Sequence, residues 1–233
     1  MSGIARKLMG VTKSGGSDLV VEYVSSYFLP DFFGEVFSQE INTGTTTYSG
    51  YTRHVLIAFG NLNSSANTVD WSGNTPTLGG SSLTVLSNLL SSTTYQFGYT
   101  WSILETASAG NATYAHTLNE PSAGAGIFVF NVFAKGGTPT LHDTGVATGV
   151  NGGFTLSVPA SPNALFMAAI PQNDSISLGG TAGLTDSDKV ASGDVNTGEI
   201  ATTAFKENVT SGGVTTSGGG TVSVTAGIIL KLT

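Results

Sequence analysis

The sequence predicts an all-β protein: an antiparallel two-sheet sandwich, jelly-roll-like, with an extended N-terminal arm. Two patterns and one absence carry that reading. Apolar segments of strand length are separated by glycine-rich turn signals at intervals of roughly ten residues, the cadence of a sandwich or barrel. The run Tyr95, Phe97, Tyr99, Trp101 and Ile103 alternates strictly with Gln96, Gly98, Thr100 and Ser102, a two-residue period that puts five large side chains on one face. After residue 54 no segment sustains the i, i+3, i+4 spacing of an apolar helical face. Composition agrees: 32 of the 233 residues are glycine and only 10% are charged, against roughly 25% charged in an average soluble domain.

Two regions divide the chain. Residues 1–50 begin with three of the eight basic side chains, Arg6, Lys7 and Lys13, and break at Ser14-Gly15-Gly16-Ser17. An aromatic block follows, Tyr27-Phe28-Leu29-Pro30-Asp31-Phe32-Phe33, extended by Val36 and Phe37. This block keeps neither a helical nor a strand period and contains a proline, so it reads as an arm packed against something else. Residues 51–233 form the sandwich. His54–Gly60 reads as a buried strand, and Ile127–Phe133, Phe154–Val158, Leu165–Ile170, Val222–Val224 and Ile228–Leu232 supply further strands. Gly79-Gly80, Gly136-Gly137, Gly152-Gly153, Gly179-Gly180 and Gly212-Gly213 mark turns where positive φ is needed.

The chemistry-bearing residues are few. A net charge of −7 leaves no basic footprint for nucleic acid, and no apolar stretch approaches the roughly 18 residues of a membrane helix. Without cysteine there is no thiol nucleophile, disulfide or thiolate metal site. His54, His116 and His142 are not spaced as metal ligands, and no Gly-x-Ser-x-Gly or Walker A loop occurs. His142-Asp143 are adjacent, which on a strand turns them to opposite faces. Asp70, Glu105 and Glu120 are the carboxylates weighed for glycoside hydrolysis. Trp71, Trp101 and Tyr99 are weighed as a sugar platform, although Trp101 and Tyr99 belong to the alternating strand and read as core. Asp186-Ser187-Asp188, with Asn173-Asp174 and Asp194, offer oxygen ligands but lack the spaced acids and central glycine of a calcium loop. No catalytic residue, metal or cofactor is therefore assigned.

Val69-Asp70-Trp71-Ser72-Gly73, then Leu83-Thr84-Val85-Leu86, the aromatic strand Tyr95–Ile103, and Pro121-Ser122-Ala123-Gly124 ahead of Ile127–Phe133 resemble a β-sandwich module of tailed-bacteriophage virion proteins. Ser72-Gly73 stands where that pattern has a glycine pair, and the turns here are longer. The resemblance spans roughly residues 54–232 and implies assembly rather than catalysis: a non-enzymatic capsid decoration (cement) protein. It is expected to be homo-oligomeric, assembled in the host cytoplasm and located in the virion. Its expected partners are the major capsid protein or neighbouring copies, without nucleic acid or membrane. The arm supplies the expected contacts, with Tyr27, Phe28, Phe32, Phe33 and Phe37 as aromatic anchors and Arg6 and Lys7 pairing with acidic surface. The alternative is a tail or fibre adhesin whose sandwich binds a host glycan.

Overall fold

A computed structural model describes residues 18–63, 75–90, 96–106, 108–148, 152–160, 162–171, 176–196, 199–217 and 223–233. Within them the chain is built from antiparallel strands, with a single 3-10 turn at Asp186–Asp188 and no α-helix among the described residues. The first sheet contains β1 (Leu19–Asn42), β2 (Thr52–Asn63), β3 (Thr77–Leu78), β4 (Ser81–Ser82), β5 (Thr84–Leu90), β6 (Gln96–Glu105) and β7 (Asn111–Ala134), in the order β4-β3-β7-β2-β6-β5 with β1 on β7. The second runs β12-β13-β10-β15-β8, from β8 (Pro139–Thr148), β10 (Asn163–Pro171), β12 (Lys189–Asn196), β13 (Glu199–Glu207) and β15 (Ser223–Leu232). A small third sheet joins β11 (Ser177–Gly179), β14 (Gly213–Ser217) and β9 (Gly153–Thr155).

The two large sheets form the expected sandwich. Its core sets Leu56, Ala58, Tyr99, Trp101, Phe128, Phe130 and Val132 of the first sheet against Phe166, Ala168, Ile228 and Leu230 of the second. Trp101 and Phe130 both meet Phe166, with ring centroids 6.1 and 5.3 Å away. Gly60 makes room for this packing, because a Cβ there would stand 2.4 Å from the Tyr99 ring. The alternation read from Tyr99 to Ile103 is thus the alternation of a core-facing strand.

Both central sheets are covered on their outer faces too, which explains why Val55–Phe59, Ile127–Phe133 and Leu165–Ala169 are nearly continuous apolar runs rather than alternating ones. Outside the second sheet, Leu165, Met167 and Ile229 pack against Leu178 and Val214 of the small sheet, with Leu156, Ile176 and Leu184 closing the layer. Outside the first sheet, Val55, Ile57, Phe59, Ile127 and Val129 are covered by Phe37, Ile41, Leu78, Tyr114 and Leu118.

That second cover is the chain doubling over itself. β1 and β7 pair along their whole lengths, from Leu19 opposite Ala134 to Asn42 opposite Asn111. Their register slips between Pro30 and Gly34 and again between Gly34 and Val36, where β7 passes through Leu118 to Ser122. Prolines belong at such irregularities because they cannot donate to the ladder, and Pro30 and Pro121 both lie there. The far half of the ribbon then lies over the near half. Tyr27 Oη accepts a hydrogen bond from Asn42 N at 2.5 Å, and Ser25 Oγ donates to Asn42 O at 2.8 Å. The turn between β3 and β4 that helps cover the same face is a two-residue loop, Gly79-Gly80, with φ of 58° and 81°. Two consecutive positive φ values are the glycine signature of a tight hairpin.

The expected arm over 1–50 is therefore replaced, from Leu19 onward, by an integral strand, and no boundary at residue 50 separates β1 from the sandwich. Phe37 is 1% exposed and sits 5.0 Å from Phe59 and 5.9 Å from Tyr114, ring to ring. Phe28 packs edge-on against Phe128 at 5.8 Å and lies over Gly193, where a Cβ would come within 2.5 Å of its ring. Tyr27 is half-buried against the outer core of the first sheet. These three aromatics serve the chain's own interior. Phe32 and Phe33 lie on the β1 backbone at the irregularity, their side chains outside the described residues; Arg6 and Lys7 lie wholly outside them.

Candidate functional site

The sandwich has two sides. On one, β1 and β12 lie together, with Phe28 over Gly193. On the other, the β5–β6 edge of the first sheet and β8 of the second leave a half-open cleft of about 440 Å³. Its lining alternates in character: Leu86, Ile103, Leu104, Pro139 and Leu141 are apolar, whereas His54, Thr84, Glu105, Thr138 and Thr140 are polar.

Strand register builds the polar part. His54 near the start of β2 and Glu105 at the end of β6 are direct cross-strand partners, and their Nε2 and Oε2 atoms stand 3.5 Å apart. The two side chains are unequal: His54 is 4% exposed and Glu105 66%. Burial pulls the His54 pKa below its usual 6.5, because a charged ring would lose its hydration. The Glu105 carboxylate and the carbonyls of Thr52 and Val132 oppose that shift without overcoming it. The buried ring nitrogens of His54 face only weak, imperfectly aligned acceptors, and Oγ1 of Thr140 in the same cleft is buried without a partner. The pair thus comprises a neutral imidazole, offering one donor and one acceptor, beside a solvent-facing acceptor carboxylate.

This arrangement gives a pH signature. The unfolded chain takes up a proton on His54 near pH 6.5, and the folded chain only at lower pH. The unfolded state then binds more protons, so stability is fully present above pH 6.5 and declines as the pH falls through the window below it. We expect the melting temperature to drop as the pH falls below about 6.5, and the slope to flatten in His54→Gln. Thermal scans across that range check it, and an unchanged slope in the variant refutes the assignment. The carboxylates of Asp143 and Asp186 contribute in a separate window, since hydrogen bonds from Ser157 and Lys189 respectively lower their pKa from 3.8.

The other sequence candidates disperse. Asp143 accepts from Ser157 N and Oγ at 2.7 and 2.8 Å and from Thr144 N at 2.9 Å, which ties β8 to the loop after β9. His142 occupies an irregularity in the β8–β15 register. Asp186 accepts from Leu178 N and pairs with Lys189 at 2.9 Å. Asp188 caps the 3-10 turn through Thr185 N at 2.7 Å. Both acids fasten the local turn, and among the described residues no three His, Asp or Glu side chains gather as a metal site. Trp101 and Tyr99 are fully buried and present no face to a sugar. Asp70, Trp71, Asn173 and Asp174 lie outside the described residues, as do the side chains of Glu120 and Asp194. Of the carboxylates weighed at the outset, Glu105 is found at a cleft.

No known protein family matches the chain, and no curated protein or solved structure is similar to it.

Proposed function

We propose that this chain is a non-enzymatic structural component of a tailed-phage virion, a head decoration protein that docks on the major capsid protein or on neighbouring copies of itself. The observation that carries the reading is Val36, a large apolar side chain 65% exposed at the place where the β1–β7 ribbon doubles over. Phe32 and Phe33 stand four and three residues before it in the chain. The sequence resemblance to virion sandwich modules and the low charge content support the same role. Docking at the ribbon bend replaces the arm-wide anchoring expected from the sequence, since Tyr27, Phe28 and Phe37 are committed to the interior. Arg6 and Lys7 keep their proposed role of pairing with acidic surface. The adhesin alternative gains nothing from Trp101 and Tyr99, whose rings are core.

The test is Val36→Asp. An exposed substitution changes fold stability by no more than about 0.5 kcal/mol, so the melting temperature should hold. Occupancy on purified heads should fall about tenfold, the equivalent of roughly 1.4 kcal/mol per site. Undiminished occupancy would refute the ribbon bend as the docking element.

A further inference from the structure

Independently of that structural role, the geometry of the His54–Glu105 cleft points to a binding site: we infer that it accepts a primary ammonium carried on a short aliphatic stem. Three features of the lining select this chemistry.

The first is the balance of unmet groups. The Glu105 carboxylate offers only acceptors and faces solvent. Thr140 Oγ1 is buried without a partner, and His54, a side chain only 4% exposed, adds the one accepting nitrogen of its neutral ring. A buried acceptor without a donor is unfavourable, so the cleft favours a ligand that donates to these atoms. An ammonium brings three donors and no acceptor, the complement of a site rich in acceptors. The second feature is charge. Among the ten lining residues there is one carboxylate and neither lysine nor arginine, so the cleft favours a cation and disfavours an anion. The third is the wall. Leu86, Ile103, Leu104, Pro139 and Leu141 are aliphatic or cyclic and contain no aromatic ring, which suits methylene groups better than the flat face of a sugar. The volume of about 440 Å³ lies in the range of small-ligand sites.

Two sources carry this chemistry: a free alkyl amine or diamine, and a lysine side chain of the chain's own N-terminal segment. Strand order places the latter within reach. Leu19 and Thr52 both pair with Ala134, and His54 pairs with Glu105, so β1 starts at the end of the first sheet that carries the cleft. β1 and β6 are three strand spacings apart, about 14 Å. Lys13 precedes Asp18 by five residues, a span of up to about 17 Å in extended chain.

Calorimetric titration of the full chain with butylamine at pH 7.5, with butanol as the uncharged control, tests the site. Saturable binding of butylamine but not butanol is expected, weakened at least tenfold in Glu105→Gln and also in Thr140→Val. Glu105 is exposed, so the first variant keeps the fold. A version without the two N-terminal lysines, Lys7→Met with Lys13→Met, separates the sources. Tighter butylamine binding than in the parent identifies a lysine of the chain as the resident group, and equal binding identifies a free amine. Absence of saturable binding in both the parent and the Lys7→Met, Lys13→Met chain overturns the proposal, as does affinity that Glu105→Gln leaves unchanged.

Discussion

A chain truncated to begin at Thr43 is expected to lose the fold altogether. β1 contributes Leu19, Val20, Val21, Phe37 and Ile41 to the interior, each no more than 6% exposed. Burying a side chain of this size is worth about 1.5–3 kcal/mol, so the five together rival the roughly 5–15 kcal/mol by which a domain is stable. Their loss also bares the β7 edge along its length, a row of unpaired donors and acceptors that invites aggregation. The cooperative heat transition of the full chain should be missing from the fragment, and the fragment should collect in the insoluble fraction. Phe37→Ala supplies a graded counterpart: emptying the space beside Phe59 and Tyr114 should cost about 3–5 kcal/mol in urea unfolding. A soluble, cooperatively melting fragment would show that β1 is the separable arm its composition suggests.

The reason β1 reads as an arm lies in its irregularities. Leu19, Val21 and Tyr23 face the central core, but the register slips between Tyr23 and Ser25. After that slip the even-numbered Phe28 faces the central core, while Tyr27 and Leu29 turn outward. Beyond the slips at Pro30–Val36, Phe37 and Ile41 belong to the outer core, reached by folding the strand back. A strand whose phase changes with each slip has no two-residue period to read. β6 has no such slip against β2, and there the alternation from Tyr99 to Ile103 was legible. The candidate site suffers from a different blindness. His54 opens one apolar run and Glu105 closes another, and only the antiparallel register of β2 with β6 makes them partners. Strand ends of this kind are a usable signal once a pairing is assumed, but local sequence does not choose among pairings.

Replacing Arg53 with methionine is expected to cost about 3–5 kcal/mol, because three acceptors lose a charged donor and each one left unmet in the interior costs about 1–3 kcal/mol. Arg53 is 7% exposed. Its Nε donates to Asn131 Oδ1 at 3.0 Å, Nη1 to Ser108 O at 2.6 Å and Nη2 to Thr43 O. One guanidinium thereby fastens the segments after β1 and after β6 to the face of β7. Thr43 N donates to Gly110 O at 2.8 Å, and Gly110 N to Gly44 O at 2.9 Å, completing the junction. Burial lowers the Arg53 pKa, and the Glu22 carboxylate acts against that shift. Glu22 in turn accepts from Tyr48 Oη at 2.6 Å, and the Tyr48 ring meets Phe133 edge-on at 4.7 Å. Burial first, and then Glu22 and Glu207, push the Tyr48 hydroxyl up to about 12. Methionine fills the volume of the arginine stem but leaves three acceptors without a donor and Glu22 without a compensating cation. Lysine restores the charge alone, because a single ammonium cannot present the planar fork that addresses three acceptors in different directions. Urea unfolding should therefore rank the parent above Arg53→Lys and Arg53→Met last, with the lysine variant recovering under half of the loss. A methionine variant within about 1 kcal/mol of the parent would mean that well-packed apolar volume, rather than this polar junction, holds the 43–51 segment on the sheet.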